Sequence, residues 1–266
     1  MSKNALVTLA VGSGYSERFE QLCRRNWTAY AGRHGLDIVV FKDALDTSER
    51  ARRRSPAWQK CLVLGAAEVA RYDRVVWVDS DIVINPAAPS ILDGVPPEKI
   101  GVTDEHRFPA PGARQAILRD IIETVPEAGE LNKRFWQAWQ DPGAWHAYFG
   151  LPSGQAHILQ TGVMVLSPEH HRELFEHVYH AYEDGGSKSF NYEMRPLSHE
   201  IQRHDLQHFV DARFNALVWW LYLYLCPGGG APTEDQMRLF LRDIYERSYF
   251  LHFAGSADLM PQLASI

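Results

Sequence analysis

The chain has 266 residues, a formal net charge of −6, 45% hydrophobic residues and 23% charged residues. These values are ordinary for a globular protein with a sizeable core, and the negative net charge does not favour a nucleic-acid partner. The longest apolar run, residues 216–226, is too short to span a bilayer, so no transmembrane segment is expected.

The three cysteines, Cys23, Cys61 and Cys226, are widely spaced and form no Cys-x-x-Cys pattern. This spacing argues against a disulfide framework or a zinc knuckle and favours a reducing compartment. No secretory leader is recognisable, because the short apolar run near the N-terminus leads directly into Gly12-Ser13-Gly14. We therefore expect a cytoplasmic protein, with one domain over residues 1–266.

The first predicted strand covers residues 5–11, and the glycines at positions 12 and 14 follow it. Glycines after a first strand allow a ligand to approach the backbone closely. The complete Gly-x-Gly-x-x-Gly fingerprint is absent, which disfavours a dinucleotide-dependent dehydrogenase. A helix capped by Ser16 and a second strand over residues 36–41 are predicted next.

A polar connection over residues 43–55 contains four arginines, Arg50, Arg52, Arg53 and Arg54. One interpretation is a solvated surface, and the other is a basic segment close to a phosphate-rich ligand. Ser55 and Pro56 then form a typical helix start, with a capping side chain and Pro in the first turn. The pattern predicts a helix to about Ala70, with Lys60 in its first turns.

Residues 75–78 form the most apolar strand candidate, and Asp79-Ser80-Asp81 follows directly. A strand that is apolar on both faces is typical of a parallel sheet, and ligands bind where such strands end. Asp79 and Asp81 can point the same way, and two adjacent carboxylates are costly without a cation between them. A chain of this composition contains about one Asp-x-Asp by chance, so the pattern alone is weak evidence. What indicates a site is its position directly after the most apolar strand candidate. A turn or helix cap would need only one Asp, and a metal site is therefore favoured.

A short strand is predicted at Ile100–Asp104, followed by a helical insertion over residues 106–156 on the ligand side of the sheet. This stretch is rich in Pro, Gly and Trp. Its aromatic side chains fit sugar binding and core packing equally well: Trp136, Trp139, Trp145, Tyr148 and Phe149.

The next strand, over residues 158–166, contains Gln160-Thr161-Gly162, and a glycine inside a strand indicates close approach by a ligand or another backbone. Residues 214–226 are apolar and aromatic and are expected to lie mostly in the core. A last short strand over residues 249–253 carries His252. The element order predicts an α/β fold with a mostly parallel central sheet flanked by helices.

In this order, the landmarks resemble the GT-A nucleotide-sugar glycosyltransferases. The closest likeness is to the branch with a C-terminal metal-binding His, which includes glycogenin-like enzymes and retaining galactosyl and xylosyl transferases. The matching parts are the first strand with its loop, Trp58-Gln59-Lys60, Val78-Asp79-Ser80-Asp81, residues 160–166 and His252-Phe253-Ala254-Gly255. The resemblance covers most of the chain outside the insertion and implies a Rossmann-like GT-A domain.

The resemblance implies that Asp79, Asp81 and His252 bind a divalent metal ion. Mixed carboxylate and imidazole ligation favours Mn²⁺, with Mg²⁺ as the second choice. The implied donor is a nucleotide sugar, with UDP-sugar first, and the implied acceptor is a glycan, a lipid or a small molecule. The residues implied to hold the donor are Ala10, Val11, Gly12, Tyr15, Lys60, Ser80, Thr161, Gly162 and Gly255.

The catalytic residues are left open among Glu193, Glu200 and Asp104. The first two follow the strand of Gly162, where the resembling enzymes keep acidic or amide residues that contact the donor sugar. An exposed carboxylate at a helix start is the alternative for each. Transfer with retention of configuration is expected, in which the leaving phosphate takes the proton and no carboxylate base is needed.

One departure concerns the diphosphate, because the branch usually has a Lys shortly after its His-x-x-Gly, where this chain has Ser256-Ala257-Asp258-Leu259. Lys60, Arg107 or the arginines of residues 50–54 are the candidates to replace it.

Two other functions stay open. A sugar-phosphate nucleotidyltransferase fits the loop after the first strand poorly, and the intact metal triad argues against a catalytically lapsed nucleotide-sugar-binding protein. A homodimer is also left open.

Overall fold

The computed structural model describes residues 3–110, 112–129, 131–184, 192–227 and 232–263. Its strands are β1 (Asn4–Leu9), β2 (Leu36–Phe41), β3 (Arg74–Val78), β4 (Ile82–Ile84), β5 (Ile100–Asp104), β6 (Leu159–Leu166), β7 (Gln207–Phe209), β8 (Ala216–Leu217) and β9 (Phe250–His252). Its α-helices are α1 (Ser13–Arg18), α2 (Arg24–His34), α3 (Glu49–Arg52), α4 (Ala113–Thr124), α5 (Lys133–Ala138), α6 (Pro142–Tyr148), α7 (Pro168–Ala181), α8 (Met194–Arg203), α9 (Val218–Leu225) and α10 (Glu234–Arg247). A π-helical turn (Phe19–Cys23) joins α1 to α2, and 3₁₀ helices cover Pro56–Gly65, Glu105–Arg107, Ala212–Asn215 and Ala257–Leu263.

Within the described ranges, the central sheet has six strands in the order β2-β1-β3-β6-β5-β7. β1 pairs in parallel with β2 and β3, and β5 pairs in parallel with β7. β6 is antiparallel to both of its neighbours, β3 and β5. The sheet is thus mostly parallel, which confirms the predicted α/β class. Because all the strands except β6 point the same way, the carboxyl ends of β1, β3, β5 and β7 lie at one edge.

The central sheet is buried on both faces, as the continuous apolar run of β3 predicted. Val76 and Val78 belong to a core shared with the α2 helix, whereas Val75 and Trp77 belong to a second core shared with α7. This alternation follows from the two-residue period of a strand.

A smaller sheet brings distant parts of the sequence together next to the end of β3. Among the described residues it has three strands, in the order β4-β9-β8. Ile82 of β4 lies opposite His252 of β9, and Leu217 of β8 is in register with the same His252. The pairing therefore places the C-terminal histidine beside the Asp-x-Asp segment.

The predicted helix from residue 55 to about Ala70 is shorter and of a different type, a 3₁₀ helix over Pro56–Gly65. Trp58, Cys61 and Leu64 are all buried in one core and repeat every three residues. A 3₁₀ helix aligns residues three apart, so this geometry buries all three on one side.

The helical insertion over residues 106–156 is confirmed, since α4, α5 and α6 lie within it. Trp139 and Trp145 are buried there, which favours core packing over sugar binding for these two rings. The expectation that residues 214–226 lie mostly in the core was only partly right. Three side chains of α9, Trp219, Tyr224 and Leu225, are 43–47% exposed. None of the helices in the described ranges has the length and apolar character needed to cross a membrane.

Candidate metal and donor site

Asp79, Asp81 and His252, here called the metal cluster, meet beyond the carboxyl end of β3. Each offers one ligand atom, and these atoms lie within 4.8 Å of one another. His252 Nε2 is 3.4 Å from Asp81 Oδ1 and 3.9 Å from Asp79 Oδ2. Two ligands about 2.1–2.4 Å from one divalent ion lie roughly 3–4.8 Å apart, so these separations fit a shared cation. The structure thus brings together the three residues that the sequence selected.

Backbone hydrogen bonds fix the two aspartates between the two sheets. Asp79 N donates to Gly162 O of β6 over 2.8 Å, and Ile82 N donates back to Asp79 O over 3.2 Å. Phe253 N, directly after His252, donates to Asp81 O over 3.1 Å. The backbone at both aspartates is therefore held by hydrogen bonds to β6 and to the residue after β9.

The metal cluster is closed on its imidazole side and open on its carboxylate side. His252 is only 3% exposed, whereas the side chains of Asp79 and Asp81 are 28% and 25% exposed. Solvent or a ligand can therefore reach part of each aspartate side chain. This is the arrangement needed if further ligands are to complete the coordination of an ion.

Gly162 gives the His252 ring the space it occupies. A Cβ atom at position 162 would lie 2.4 Å from His252 Cε1 and 3.3 Å from Asp79 Oδ2. The sequence predicted a close approach at this glycine by a ligand or another backbone, and the groups that approach it are instead side chains of the metal cluster. The binding of a donor by Gly162 and Thr161 stays a prediction.

Lys60 connects the metal cluster to Glu193. Its Nζ atom lies 3.1 Å from Asp79 Oδ1 and 2.8 Å from Glu193 Oε1, and it donates to Thr161 O over 3.4 Å. The indole of Trp77 also donates to Asp79 Oδ1, over 2.8 Å. One oxygen of Asp79 is therefore engaged by Lys60 and Trp77, and the other faces His252.

The charged groups at the site change one another's ionisation. Burial acts to lower the pKa of Lys60, but the carboxylates of Asp79 and Glu193 outweigh burial and raise this pKa. Burial raises the pKa of Asp79 against the opposing effects of Lys60 and His252. Burial also acts to raise the pKa of Asp81, but His252 lowers it overall. In return, Asp81 raises the pKa of His252 against the effect of burial.

Three carboxylates thus face one lysine and one imidazole, so negative charge is in excess. A divalent cation at the metal cluster would neutralise that excess.

The loop after β1 lies at the same sheet edge as the metal cluster, because β1 and β3 are parallel neighbours. Ala10 N donates to Phe41 O over 2.8 Å, and Gly12 has a φ of 90° that favours glycine. Tyr15, in α1, is largely exposed. Ser80 O accepts a hydrogen bond from Cys23 Sγ in the π-helical turn. Binding of a nucleoside by Ala10, Val11, Gly12, Tyr15 and Ser80 stays a prediction.

The three candidate catalytic carboxylates are all buried, so an exposed carboxylate at a helix start is not the explanation for Glu193 or Glu200. Glu193 is linked to the metal cluster through Lys60. Glu200 instead accepts hydrogen bonds from Tyr182 and Arg203. Its pKa is lowered because these bonds outweigh burial, which acts to raise it.

Asp104, at the end of β5, has different partners. Its Oδ2 atom lies 2.7 Å from His157 Nδ1 and 3.3 Å from Arg107 Nε, and its Oδ1 accepts from His106 N. The part that Asp104 plays in catalysis stays a prediction.

The basic side chains that could replace the missing C-terminal lysine at a diphosphate lie in different parts of the structure. Arg50 and Arg54 both pair with Glu183, and they donate to carbonyl groups near the end of α7. Arg54 is buried by these contacts, so the predicted solvated surface is wrong for this residue, and a role near a phosphate-rich ligand stays a prediction. Arg107 pairs with Asp104. Arg52 donates to Thr47 O, and Arg53 pairs with Glu49. Of the six candidates, Lys60 alone touches the metal cluster within the described residues.

Asn215 is a site residue that the sequence analysis missed. His252 Nδ1 lies 2.8 Å from Asn215 Oδ1, and both side chains are buried. The two residues are 37 positions apart, and the pairing of β8 with β9 brings them together. No local pattern around Asn215 could have indicated this contact.

The fold and the position of the metal cluster at a strand end define the class, which is the GT-A fold expected from the sequence. A solved glycosyltransferase involved in the glycosylation of the major capsid of PBCV-1 matches with a TM-score of 0.57 at 13% identity, over 98% of this chain and 100% of that chain. The galactosyltransferase LgtC, solved with donor and acceptor sugar analogues, matches with a TM-score of 0.52 at 13% identity, over 98% of this chain and 95% of that chain. No protein-family model and no curated protein sequence matches the chain. At these identities, the likeness establishes the fold alone.

Proposed function

We propose that the protein is a glycosyltransferase that moves a sugar from a UDP-sugar to an acceptor hydroxyl, with Mn²⁺ at the metal cluster and with retention of configuration. The observation that carries this proposal is the convergence of Asp79, Asp81 and His252 at the carboxyl edge of a GT-A sheet. Two solved glycosyltransferases share this fold over nearly the whole chain, which supports the same class of reaction.

The donor set of the metal cluster favours Mn²⁺. Two carboxylate oxygens and one imidazole nitrogen are available, and Mg²⁺ prefers oxygen and water ligands. The spacing of these atoms and the excess of carboxylates both fit a divalent ion. When bound, the ion supplies a Lewis acid that stabilises the negative charge of a diphosphate leaving group.

The edge formed by β1 and β3 offers a place for the nucleotide. Gly12 leaves the backbone accessible at the start of α1, and the exposed ring of Tyr15 is available to stack on a base. Ser80 lies between the two aspartates, so a ribose next to it would place its diphosphate near the metal cluster. These residues are proposed to bind the donor.

Glu193 is the proposed catalytic residue, and Lys60 positions it. Lys60 binds one carboxylate oxygen, Oε1, while the buried Oε2 has no hydrogen-bond partner among the described residues. A buried carboxylate oxygen without a donor is unfavourable, so a hydroxyl group of the donor sugar is the proposed partner. Retention fits this assignment, because a retaining enzyme needs a polar group beside the sugar ring and no separate base.

A nucleotide-sugar panel in Mn²⁺ tests the proposal, with release of the nucleoside diphosphate measured with and without glycan, lipid and small-molecule acceptors. We expect turnover with a UDP-sugar, a product anomer that matches the donor, and loss of turnover in Asp81→Asn. Absence of turnover with every donor, or full activity in Asp81→Asn, would contradict it. Release of pyrophosphate from a nucleoside triphosphate and a sugar phosphate would instead favour a nucleotidyltransferase.

A further inference from the structure

The ring of His252 makes a second buried contact, through the nitrogen that does not face the aspartates. Nδ1 lies 2.8 Å from Asn215 Oδ1, and Asn215 is 1% exposed. Nε2 is the atom nearest to Asp79 and Asp81. The two ring nitrogens therefore face different partners, an amide oxygen on one side and two carboxylates on the other.

The amide oxygen decides which ring nitrogen carries the hydrogen. An amide oxygen can only accept, so Nδ1 must donate to it. A neutral imidazole has a single N–H, and Nε2 then keeps its lone pair. The lone pair is what a metal ion binds, and Nε2 is the nitrogen in the metal cluster.

Two backbone features hold this arrangement in place. The 3₁₀ helix Ala212–Asn215 leads directly into β8, whose Leu217 is in register with His252 of β9. Gly162 also lies against the ring, where a Cβ atom would come within 2.4 Å of Cε1 and 2.8 Å of Nδ1. The ring thus has little room to turn, because a glycine of the central sheet and the side chain of Asn215 both lie close to it.

We propose that Asn215 is a positioning residue of the metal site, which fixes the tautomer and the orientation of His252 so that Nε2 faces the cation. The inference rests on the proposed function to the extent that a cation binds at the metal cluster. An amide suits the task because it accepts a hydrogen bond without adding to the excess of negative charge. Asn215 itself does not touch the cation or the substrate.

The test measures Mn²⁺ binding to the purified chain by calorimetry, and the nitrogen coupling of the bound Mn²⁺ by pulsed electron paramagnetic resonance. Asn215→Leu keeps the size of the side chain and removes the acceptor. We expect its Mn²⁺ affinity to fall by about 10- to 100-fold, as for other partners of metal-bound histidines, and its nitrogen coupling to weaken. Asn215→Asp keeps an acceptor and is expected to retain the nitrogen coupling.

A matched control is Asn26→Leu, which removes a partly buried amide whose hydrogen-bond partner is the hydroxyl of Tyr245 and not a histidine. It should leave the affinity and the coupling unchanged. Thermal unfolding in EDTA shows whether each variant folds without metal.

Unchanged affinity and coupling in Asn215→Leu would overturn the inference while the proposed metal site stands. If Asn215→Leu does not fold, loss of the nitrogen coupling in Asn215→Asp would overturn it instead. Failure of the unmodified chain to bind Mn²⁺ is a different result, since it would overturn the metal site of the proposed function as well.

Discussion

Two groups of buried charges in this protein differ in how fully they are neutralised. Near the insertion, Arg114 Nη1 lies 3.0 Å from Glu105 Oε1, and the guanidinium lies 3.5 Å from the centre of the Trp220 ring. Both charged side chains are almost fully buried. One arginine here meets one glutamate, and an aromatic ring covers the guanidinium.

The metal cluster and its neighbours are arranged differently. Asp79, Asp81 and Glu193 outnumber Lys60, and the two aspartates are partly open to solvent. The Arg114–Glu105 pair is thus balanced in charge and buried, although Glu105 Oε2 has no hydrogen-bond partner among the described residues. The charges around the metal cluster instead have an excess of negative sign on a partly exposed side. This difference indicates that an added cation would stabilise the metal cluster and its neighbours. The Arg114–Glu105 pair is already neutral and would gain nothing from a cation.

The largest expected effect follows from removing one carboxylate of the metal cluster. Asp81→Asn replaces an anionic ligand by a neutral and weaker one, so we expect transfer from the nucleotide sugar to slow by roughly 10²- to 10⁴-fold, because a bound metal is worth several kcal/mol in the transition state. The rise in unfolding temperature on adding Mn²⁺ should also disappear, since that rise depends on binding. Steady-state kinetics and thermal unfolding measure both effects. Normal activity in Asp81→Asn would contradict the proposed difference between the metal cluster and the Arg114–Glu105 pair.

Substitutions in the Arg114–Glu105 pair should change the stability of the protein and leave metal binding unchanged. Arg114→Met removes the ion-pair partner of the buried Glu105, which is expected to lower the free energy of unfolding by about 3–5 kcal/mol. Denaturant unfolding measures this loss, and the double variant Glu105→Gln/Arg114→Met should recover part of it. Mn²⁺ affinity should stay the same. A change in that affinity would show that the two groups are coupled.

A smaller effect is expected from crowding the ring of His252. Gly162→Ala places a Cβ atom 2.4 Å from His252 Cε1. We expect a loss of about 1–3 kcal/mol in unfolding free energy, typical of overpacking, together with weaker Mn²⁺ binding. Gly154→Ala is the matched control, because its Cβ atom would meet no atom within 4 Å. Equal Mn²⁺ affinity in the two variants would mean that the ring can move without affecting the site.

The fold and part of the site could be predicted because their signals are local. The bounds of β2 and β5 follow from short apolar runs ended by polar or turn residues, and the aspartates follow β3 directly. The geometry of parallel strands then places these carboxylates at the ligand edge. His252 needed the resemblance to a family, because a lone histidine in an apolar strand is usually part of the core.

Other features could not be predicted because they depend on contacts between distant segments. Asn215 reaches His252 only through the pairing of β8 with β9, and Arg114 finds Trp220 only when α4 packs against α9. The 3₁₀ geometry of Pro56–Gly65 likewise follows from packing against α7 rather than from the capping signal at its start. Periodicity identifies elements, but it does not show which buried charges will be paired.

Calorimetric titration of Mn²⁺ into the metal-free chain, and into Asp79→Asn, tests the central claim most directly. The account predicts one Mn²⁺ per chain, tighter binding when UDP is present, and loss of this binding in Asp79→Asn. Absence of binding to the unmodified chain, or equal binding to both proteins, would contradict the assignment of Asp79, Asp81 and His252 as a metal site.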